Sequence, residues 1–189
     1  TGIGGCTNVS ATATVTVTAP PSAGNISGTT AICANGSTIL TSSVTGGSWS
    51  SATPAVATIN AATGAVSGVS AGTAVMTYTI TGTGGCANAN TTATITVTSP
   101  PAAATISGTT AICANGSSAL TASLAGGSWS TTNQAIATVS SLGLVSGVAS
   151  GTTTITYTIQ GTGGCANANT TISVTITAPP TAGNISGTT

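Results

Sequence analysis

The sequence repeats itself with a period of about 80 residues, and this repeat constrains the fold more than any other feature. The segment Ser-Gly-Thr-Thr-Ala-Ile-Cys-Ala-Asn-Gly-Ser around Cys33 returns around Cys113, 80 residues later. Gly-Gly-Ser-Trp-Ser recurs at the same spacing, at Trp49 and Trp129. The pattern predicts tandem copies of one structural unit, packed mainly against their neighbours along the chain.

Proline pairs mark the expected boundaries of these units. Proline has no backbone N–H to extend a strand ladder and it stiffens a linker, so it suits a joint between domains. The pairs lie at residues 20–21, 100–101 and 179–180. We expect four segments: the C-terminal part of a preceding repeat at 1–20, complete repeats at 21–100 and 101–179, and the start of a following repeat at 180–189.

Within a unit, apolar and polar residues alternate with a period of two, which is typical of a strand with one buried face. Residues 91–98 place Ala, Ile and Val on one face and Thr on the other, and residues 11–18 and 171–177 do the same. Further strands are predicted in the first full repeat at 23–33, 38–44, 48–52, 56–60, 64–69 and 73–80. About seven short strands per unit, with no helical period, predict an all-β fold of antiparallel β-sandwich repeats.

The sequence contains no Lys, Arg, Asp, Glu or His, and this absence excludes most kinds of chemistry. General acid–base catalysis and the common nucleophilic sites need such residues. Magnesium and calcium sites need carboxylates, zinc sites need His or clustered Cys, and nucleic-acid binding depends on Lys and Arg. We therefore expect a non-catalytic protein with no cofactor, no metal and no nucleic-acid partner.

Hydropathy argues against both disorder and membrane insertion. The composition is 40% hydrophobic with no net charge, the reverse of a disordered chain. Thr and Ser interrupt every apolar stretch, so no run approaches the ~18–20 residues of a transmembrane helix, and no signal-peptide pattern is visible. We expect a soluble β protein with no transmembrane segment in this sequence and a surface of Thr, Ser and Asn.

Two stretches of the first full repeat resemble the bacterial Ig-like group 2 repeat. They are Trp-Ser-Ser-Ala-Thr-Pro-Ala-Val-Ala-Thr-Ile at 49–59 and Thr-Gly-Ala-Val-Ser-Gly-Val-Ser-Ala-Gly-Thr-Ala-Val-Met-Thr-Tyr at 63–78. The second repeat keeps the pattern at 136–139 and 145–152. The Cys-Ala-Asn-Gly and Gly-Gly-Cys segments depart from the general pattern and are similar to variants in giant repetitive surface proteins of Bacteroidota. The resemblance implies tandem Ig-like sandwiches in a secreted adhesin, surface filament or gliding track.

The cysteines predict disulfides, because each full repeat holds two in a chain that looks secreted. One connectivity lies within repeats, Cys33 with Cys86 and Cys113 with Cys165; the other joins Cys33 to Cys165 between repeats, and Cys6 has no partner in its own segment. In an Ig-like sandwich the first pair should lie at opposite ends, ~25 Å apart, whereas a disulfide needs Cα atoms within ~7 Å. One bridge inside each repeat is nevertheless simpler, so both connectivities remain open, with reduced buried thiols as the alternative.

The few aromatic residues are predicted to lie in the cores. Trp49 and Trp129 follow a Gly-Gly turn, where sandwich folds place a buried aromatic, and a sugar-stacking role is the alternative. Tyr78 and Tyr157 occupy the strand before the Gly-Gly-Cys hairpin and are also expected to pack inward.

The first functional hypothesis is a structural repeat of a long extracellular filament or cell-surface adhesin stalk. Its expected partners are neighbouring repeats or neighbouring chains, since uncharged sheet edges favour self-association. The alternative is an adhesion module whose Thr- and Asn-rich sheet faces bind a glycan, a host or environmental surface or, less favoured, ice.

Overall fold

The computed structural model describes residues 9–181 and residue 183, and all regular elements in this part of the chain are β-strands. The first nine are β1 (Ile26–Ser27), β2 (Ala31–Cys33), β3 (Ser37–Ile39), β4 (Thr41–Ser42), β5 (Ser48–Ser51), β6 (Ala57–Ile59), β7 (Ala65–Gly68), β8 (Gly72–Ile80) and β9 (Ala89–Thr98). The next nine are β10 (Ile106–Ser107), β11 (Ala111–Cys113), β12 (Ser117–Ala119), β13 (Thr121–Ala122), β14 (Ser128–Thr131), β15 (Ala137–Val139), β16 (Leu144–Gly147), β17 (Gly151–Ile159) and β18 (Ala168–Thr177). No helix among these residues is long and apolar enough to span a membrane.

Both sets of strands form the same sheets. A four-stranded sheet has the order β2-β9-β8-β5 in the first set and β11-β18-β17-β14 in the second. A three-stranded sheet has the order β3-β7-β6 or β12-β16-β15, and a short pair joins β1 to β4 or β10 to β13. The sequence repeat is therefore a structural repeat, and the predicted all-β sandwich class is confirmed.

The alternating pattern sets the faces of the long hairpin, as predicted. In β8 the buried residues are Ala74, Met76 and Tyr78, and in β9 they are Ile95 and Val97. They form one hydrophobic cluster with residues of the three-stranded sheet, so the core lies between the two sheets. Burial of one face of each strand supplies the main driving force for folding.

The second core buries one polar residue with its hydrogen bonds satisfied. Thr153 stands where the first repeat has Ala74 and is 3% exposed. Its Oγ1 lies 3.1 Å from Thr131 Oγ1 and accepts the Asn133 backbone N–H at 3.1 Å. Among the described residues, no buried side-chain N or O atom lacks a hydrogen-bond partner.

Two predicted strands are wrong as single elements. The stretch 23–33 divides into β1 and β2, which lie in different sheets, and 38–44 divides into β3 and β4. The break at Gly28 has φ 135°, and an added Cβ would lie 2.5 Å from the Ile39 carbonyl oxygen. The chain crosses from one sheet to the other there, which needs both the positive φ and the close approach.

One pairing also departs from the antiparallel expectation. Strand β2 runs parallel to β9, with Cys33 opposite Thr98, and β11 pairs with β18 in the same way. The other strand pairs are antiparallel. The parallel pair places Cys33 beside the C-terminal end of the last strand of its own repeat.

The predicted strand at 11–18 is absent, and residues 9–20 are exposed. The corresponding strand β9 has a partner on each side, β2 and β8. No described residue pairs with 11–18, and a β-strand without partners leaves its backbone hydrogen bonds to water. Alternation alone is therefore insufficient to form this strand.

Candidate functional site at the junction of the two repeats

The Gly-Gly-Cys segment of the second repeat forms a tight turn between β17 and β18. Gly163 and Gly164 have φ values of 60° and 81°, the left-handed region that favours glycine. The Cys165 N–H donates to the Thr162 carbonyl oxygen at 3.0 Å, and the Gly161 N–H donates to Asn167 Oδ1 at 3.0 Å. These bonds fix the position of the Cys165 side chain at the tip of the hairpin.

The first repeat presents Cys33 at the end of β2, just before a second tight turn. Asn35 has φ 64°, a conformation that Asn tolerates better than most residues, and the Gly36 N–H donates to the Cys33 carbonyl oxygen at 2.8 Å. The Ala34 N–H donates to the Thr98 carbonyl oxygen at 2.8 Å. The ends of β2 and β9 are therefore held side by side.

A disulfide joins these two places. Cys33 and Cys165 are bonded, with their Cα atoms 4.8 Å apart and a sequence separation of 132. Of the two connectivities left open by the sequence, the structure has the one between repeats. Cys86 and Cys113, the other members of the within-repeat pairs, are free thiols, and Cys6 lies outside the described residues.

Thr98 contacts the second repeat directly beside the disulfide. Its Oγ1 donates to the Thr162 carbonyl oxygen of the second repeat at 3.0 Å and lies 3.4 Å from Cys165 Sγ. A Cβ added to Gly163 would collide with that same Thr98 Oγ1. Glycine is therefore required at this position for both its φ angle and the close approach of the two repeats.

Sequence reasoning did not single out Thr98. In a chain so rich in threonine, one threonine at a strand end carries no distinguishing signal. Its corresponding residue Thr18 occupies the same kind of place, because Cys86 Sγ lies 3.5 Å from the Thr18 carbonyl oxygen. Cys165 Sγ lies at the same distance from the Thr98 carbonyl oxygen.

The aromatic residues form one tilted pair in each repeat. Trp49 and Tyr78 have ring centroids 4.7 Å apart, and so do Trp129 and Tyr157. Trp49 is 6% exposed, and both tyrosines are 5% exposed. Trp129 is only half-buried and borders an open cavity of about 350 Å³, together with polar residues such as Gln134.

Each tyrosine hydroxyl holds the loop before the tryptophan strand. Tyr78 Oη donates to the Val44 carbonyl oxygen and accepts the Gly47 N–H, both at 2.8 Å. Tyr157 makes the equivalent bonds to Leu124 and Gly127, also at 2.8 Å. Each tyrosine thus ties this loop to the strand that carries it, β8 or β17.

No group of three or more potential metal-binding side chains occurs among the described residues. The two free thiols are single and lie in different repeats. The candidate site in this part of the chain is therefore the disulfide together with its threonine contacts.

A family model described as bacterial Ig-like domain (group 2) matches residues 115–169, within the second repeat. The match confirms the resemblance over that segment. No curated protein matches the chain.

Solved structures resemble the chain at low sequence identity. Domains 1–6 of the surface layer protein SbsC are 21% identical with a TM-score of 0.39, over 88% of this chain and 29% of that one. The chain thus spans less than a third of that fragment's length. The C-terminal 282-residue fragment of intimin, in complex with the intimin-binding domain of the translocated intimin receptor, is 16% identical with a TM-score of 0.48, over 80% of this chain and 63% of that one. Murine CEACAM1b is 9% identical with a TM-score of 0.43, over 82% of this chain and all of that one.

The described strands and the family match agree on the architecture. The chain is an all-β protein with the architecture of Ig-like β-sandwiches, and residues 115–169 match the bacterial Ig-like group 2 family.

Proposed function

We propose that the chain is a structural segment of an extracellular filament or cell-surface adhesin stalk, in which 21–100 and 101–179 are successive load-bearing repeats. The observation that carries this proposal is the Cys33–Cys165 disulfide across the junction. A proline-stiffened linker still allows neighbouring domains to move relative to one another, and a second covalent link restrains them further. A stalk that must transmit force or hold a tip at a distance benefits from that restraint.

The same bond supports an extracellular location. Disulfides persist in oxidising compartments such as the cell surface and are rare in the cytosol. The absence of Lys, Arg, Asp, Glu and His supports a non-catalytic role, because these are the residues that most often perform acid–base chemistry near neutral pH. The partners in this proposal are neighbouring repeats of the same type.

Small-angle X-ray scattering of the oxidised chain tests the proposal. If strands of ~8–10 residues run along the fibre axis, each repeat adds ~35–40 Å to the longest dimension. The wild type should give a narrow distance distribution with a longest dimension of two such units. Cys33→Ser should broaden the distribution, and Cys86→Ser, which leaves the bridge intact, should not. A wild-type curve of two repeats folded back on each other would contradict the stalk.

A second candidate function rests on the difference between the two tryptophans. Trp129 borders an open cavity lined by Ser130, Thr131, Gln134 and Thr138, whereas Trp49 is buried. Exposed aromatic faces beside hydroxyl and amide groups suit the binding of a sugar ring. A glycan array with the wild type and Gln134→Pro, which restores the residue of the first repeat, tests this candidate. Equal absence of binding for both would exclude it.

A further inference from the structure

The two free thiols stand in the same local structures as the two bonded cysteines. Cys113 ends β11 as Cys33 ends β2, and Cys86 lies in the β8–β9 hairpin as Cys165 lies in the β17–β18 hairpin. The Cys33–Cys165 junction therefore consists of two halves, and the chain carries one additional copy of each. We call the Cys33 type the receiving half and the hairpin type the inserting half.

The receiving half at Cys113 is formed without a partner in place. Cys113 pairs in parallel with Thr177, and the Ala114 N–H donates to the Thr177 carbonyl oxygen at 2.9 Å. Asn115 has the same φ of 64° as Asn35. The main difference is exposure: Cys113 and Thr177 are exposed, whereas the corresponding Cys33 and Thr98 of the first repeat are half-buried. This face is built like the occupied one but is uncovered.

The inserting half at Cys86 is also formed in advance. The Gly82 N–H donates to Asn88 Oδ1 at 3.0 Å, and the Cys86 N–H donates to the Thr83 carbonyl oxygen at 3.1 Å, as in the bonded hairpin. Gly84 has φ 62°, and a Cβ added there would lie 2.5 Å from Thr18 Oγ1. The hairpin therefore already sits on the end of segment 11–18, as the other hairpin sits on the end of β9.

We infer that Cys86 and Cys113 are halves of two further junctions of the Cys33–Cys165 kind. The inference rests on the proposed function, because its partners are repeats of the same type. Cys86 bonds the receiving cysteine of the repeat that ends with segment 11–18. Cys113 bonds the hairpin cysteine of a repeat that follows the proline pair at 179–180. Along an array, each repeat is then joined by a disulfide to the repeat before it and the repeat after it.

Bond formation is ordinary thiol–disulfide exchange with a low-molecular-weight disulfide such as oxidised glutathione. One thiolate attacks a sulfur of that disulfide, forms a mixed disulfide and releases the first small thiolate. The second cysteine, as thiolate, then attacks the protein sulfur of the mixed disulfide and releases the second small thiolate. The two cysteine thiols lose two protons and two electrons, and the small disulfide takes up both electrons.

A lengthened chain tests the inference at Cys113. Residues 1–179 are followed directly by a second copy of 101–179, which keeps the proline pair at the new joint. After oxidation in a glutathione buffer, the denatured chain is labelled with iodoacetamide and mapped by mass spectrometry after peptic digestion. In both chains Ser replaces the receiving cysteine of the added copy, so that Cys113 gives a peptide of its own. The matched control also carries Ser for the hairpin cysteine of the added copy. Unbridged Cys113, whether alkylated or carrying glutathione, should account for all of this residue in the control and for about a tenth or less in the lengthened chain, as for a stable structural disulfide.

The bond between Cys33 and Cys165 reports independently on the original junction. If that bond is present and Cys113 labels equally in both chains, the inference is overturned while the proposed stalk stands. A bond between the added hairpin cysteine and a cysteine other than Cys113 also overturns it. If the lengthened chain fails to form Cys33–Cys165, a second chain decides the question. It places an extra copy of 21–100, with Ser for the hairpin cysteine of that copy, directly before residue 21. Labelling of Cys86 equal to that in a chain that also has Ser for the added receiving cysteine overturns the inference.

Discussion

The disulfide between the repeats sets which residues can extend when the chain is pulled from its two ends. Force that enters at Cys33 passes directly to Cys165, so the residues between them are bypassed while the bond is intact. The bypassed segment runs from Cys33 to Cys165, a sequence separation of 132, and the Cα atoms at its ends lie 4.8 Å apart in the folded protein. Fully extended at ~3.3–3.6 Å per residue, it would reach about 430–480 Å. Cys33→Ser should therefore lengthen the fully unfolded chain by about that amount.

Single-molecule force spectroscopy with handles at both termini measures this length. The oxidised wild type, with its free thiols alkylated, should lack this extension at any force that leaves disulfides intact. Cys33→Ser should show it as the unfolding of two sandwiches. Cys86→Ser is the matched control, because it removes a thiol without opening the bridge, and it should behave as the wild type.

Adding a reductant to the stretched wild type should restore the missing length. Equal contour lengths for the oxidised wild type and Cys33→Ser would refute the reasoning, since they would mean that no covalent bypass exists. A shorter wild type that does not lengthen on reduction would show that something other than the disulfide holds the segment.

Four further predictions concern stability. The midpoint of thermal unfolding should hardly change between pH 4 and 7.5 or between low and high salt, because no side chain titrates in that range, and a steep acid-side loss would contradict this. Reduction of the disulfide should lower this midpoint, since a disulfide typically contributes ~2–4 kcal/mol to the free energy of unfolding. Tyr78→Phe and Tyr157→Phe should each lower the free energy of unfolding, measured by urea titration, by about 1–3 kcal/mol, because each leaves a loop N–H and a loop carbonyl without their hydrogen-bond partner. An unchanged free energy would show that water replaces the hydroxyl. Gly163→Ala should lower the free energy of unfolding by more than the ~1–2 kcal/mol expected for alanine in the left-handed region, because its Cβ collides with Thr98. Gly46→Ala is the control: its Cβ meets no neighbouring atom, so only the backbone strain should lower the free energy of unfolding.

The sequence was sufficient to predict the features that arise from local pattern. The repeat, the alternating faces of 91–98 and 171–177 and the absence of helices in the described residues all follow from residues close together in the chain. The divisions at Gly28 and near Leu40 were not predicted, because a period of two is the same whichever sheet the strand joins. The Leu40 N–H leaves the strand pairing and donates to the Gly64 carbonyl oxygen at 2.9 Å, a contact set by tertiary structure.

The junction was predictable only in part, for a related reason. The end of the sandwich at which each cysteine lies follows from strand direction, and this argued for the Cys33–Cys165 pairing, whereas simplicity argued for a bridge inside each repeat, so the sequence left both open. The partner itself depends on how two repeats meet, and no local pattern encodes that. The role of Thr98 depends on the same contact, and so does the need for glycine at position 163.

The Cys33–Cys165 bond also changes what a cut in the backbone does to the molecule. Any one of the peptide bonds between these cysteines can be hydrolysed, and the two fragments remain covalently attached through the sulfurs. Leu142, in the loop between β15 and β16, is 89% exposed, and exposed loops of this kind are preferred sites of proteolytic cleavage. A chain with this bond stays in one covalent piece after a backbone cut that would separate two domains joined only by a peptide linker. It separates only when the backbone is cut outside that span, or when the disulfide is reduced as well.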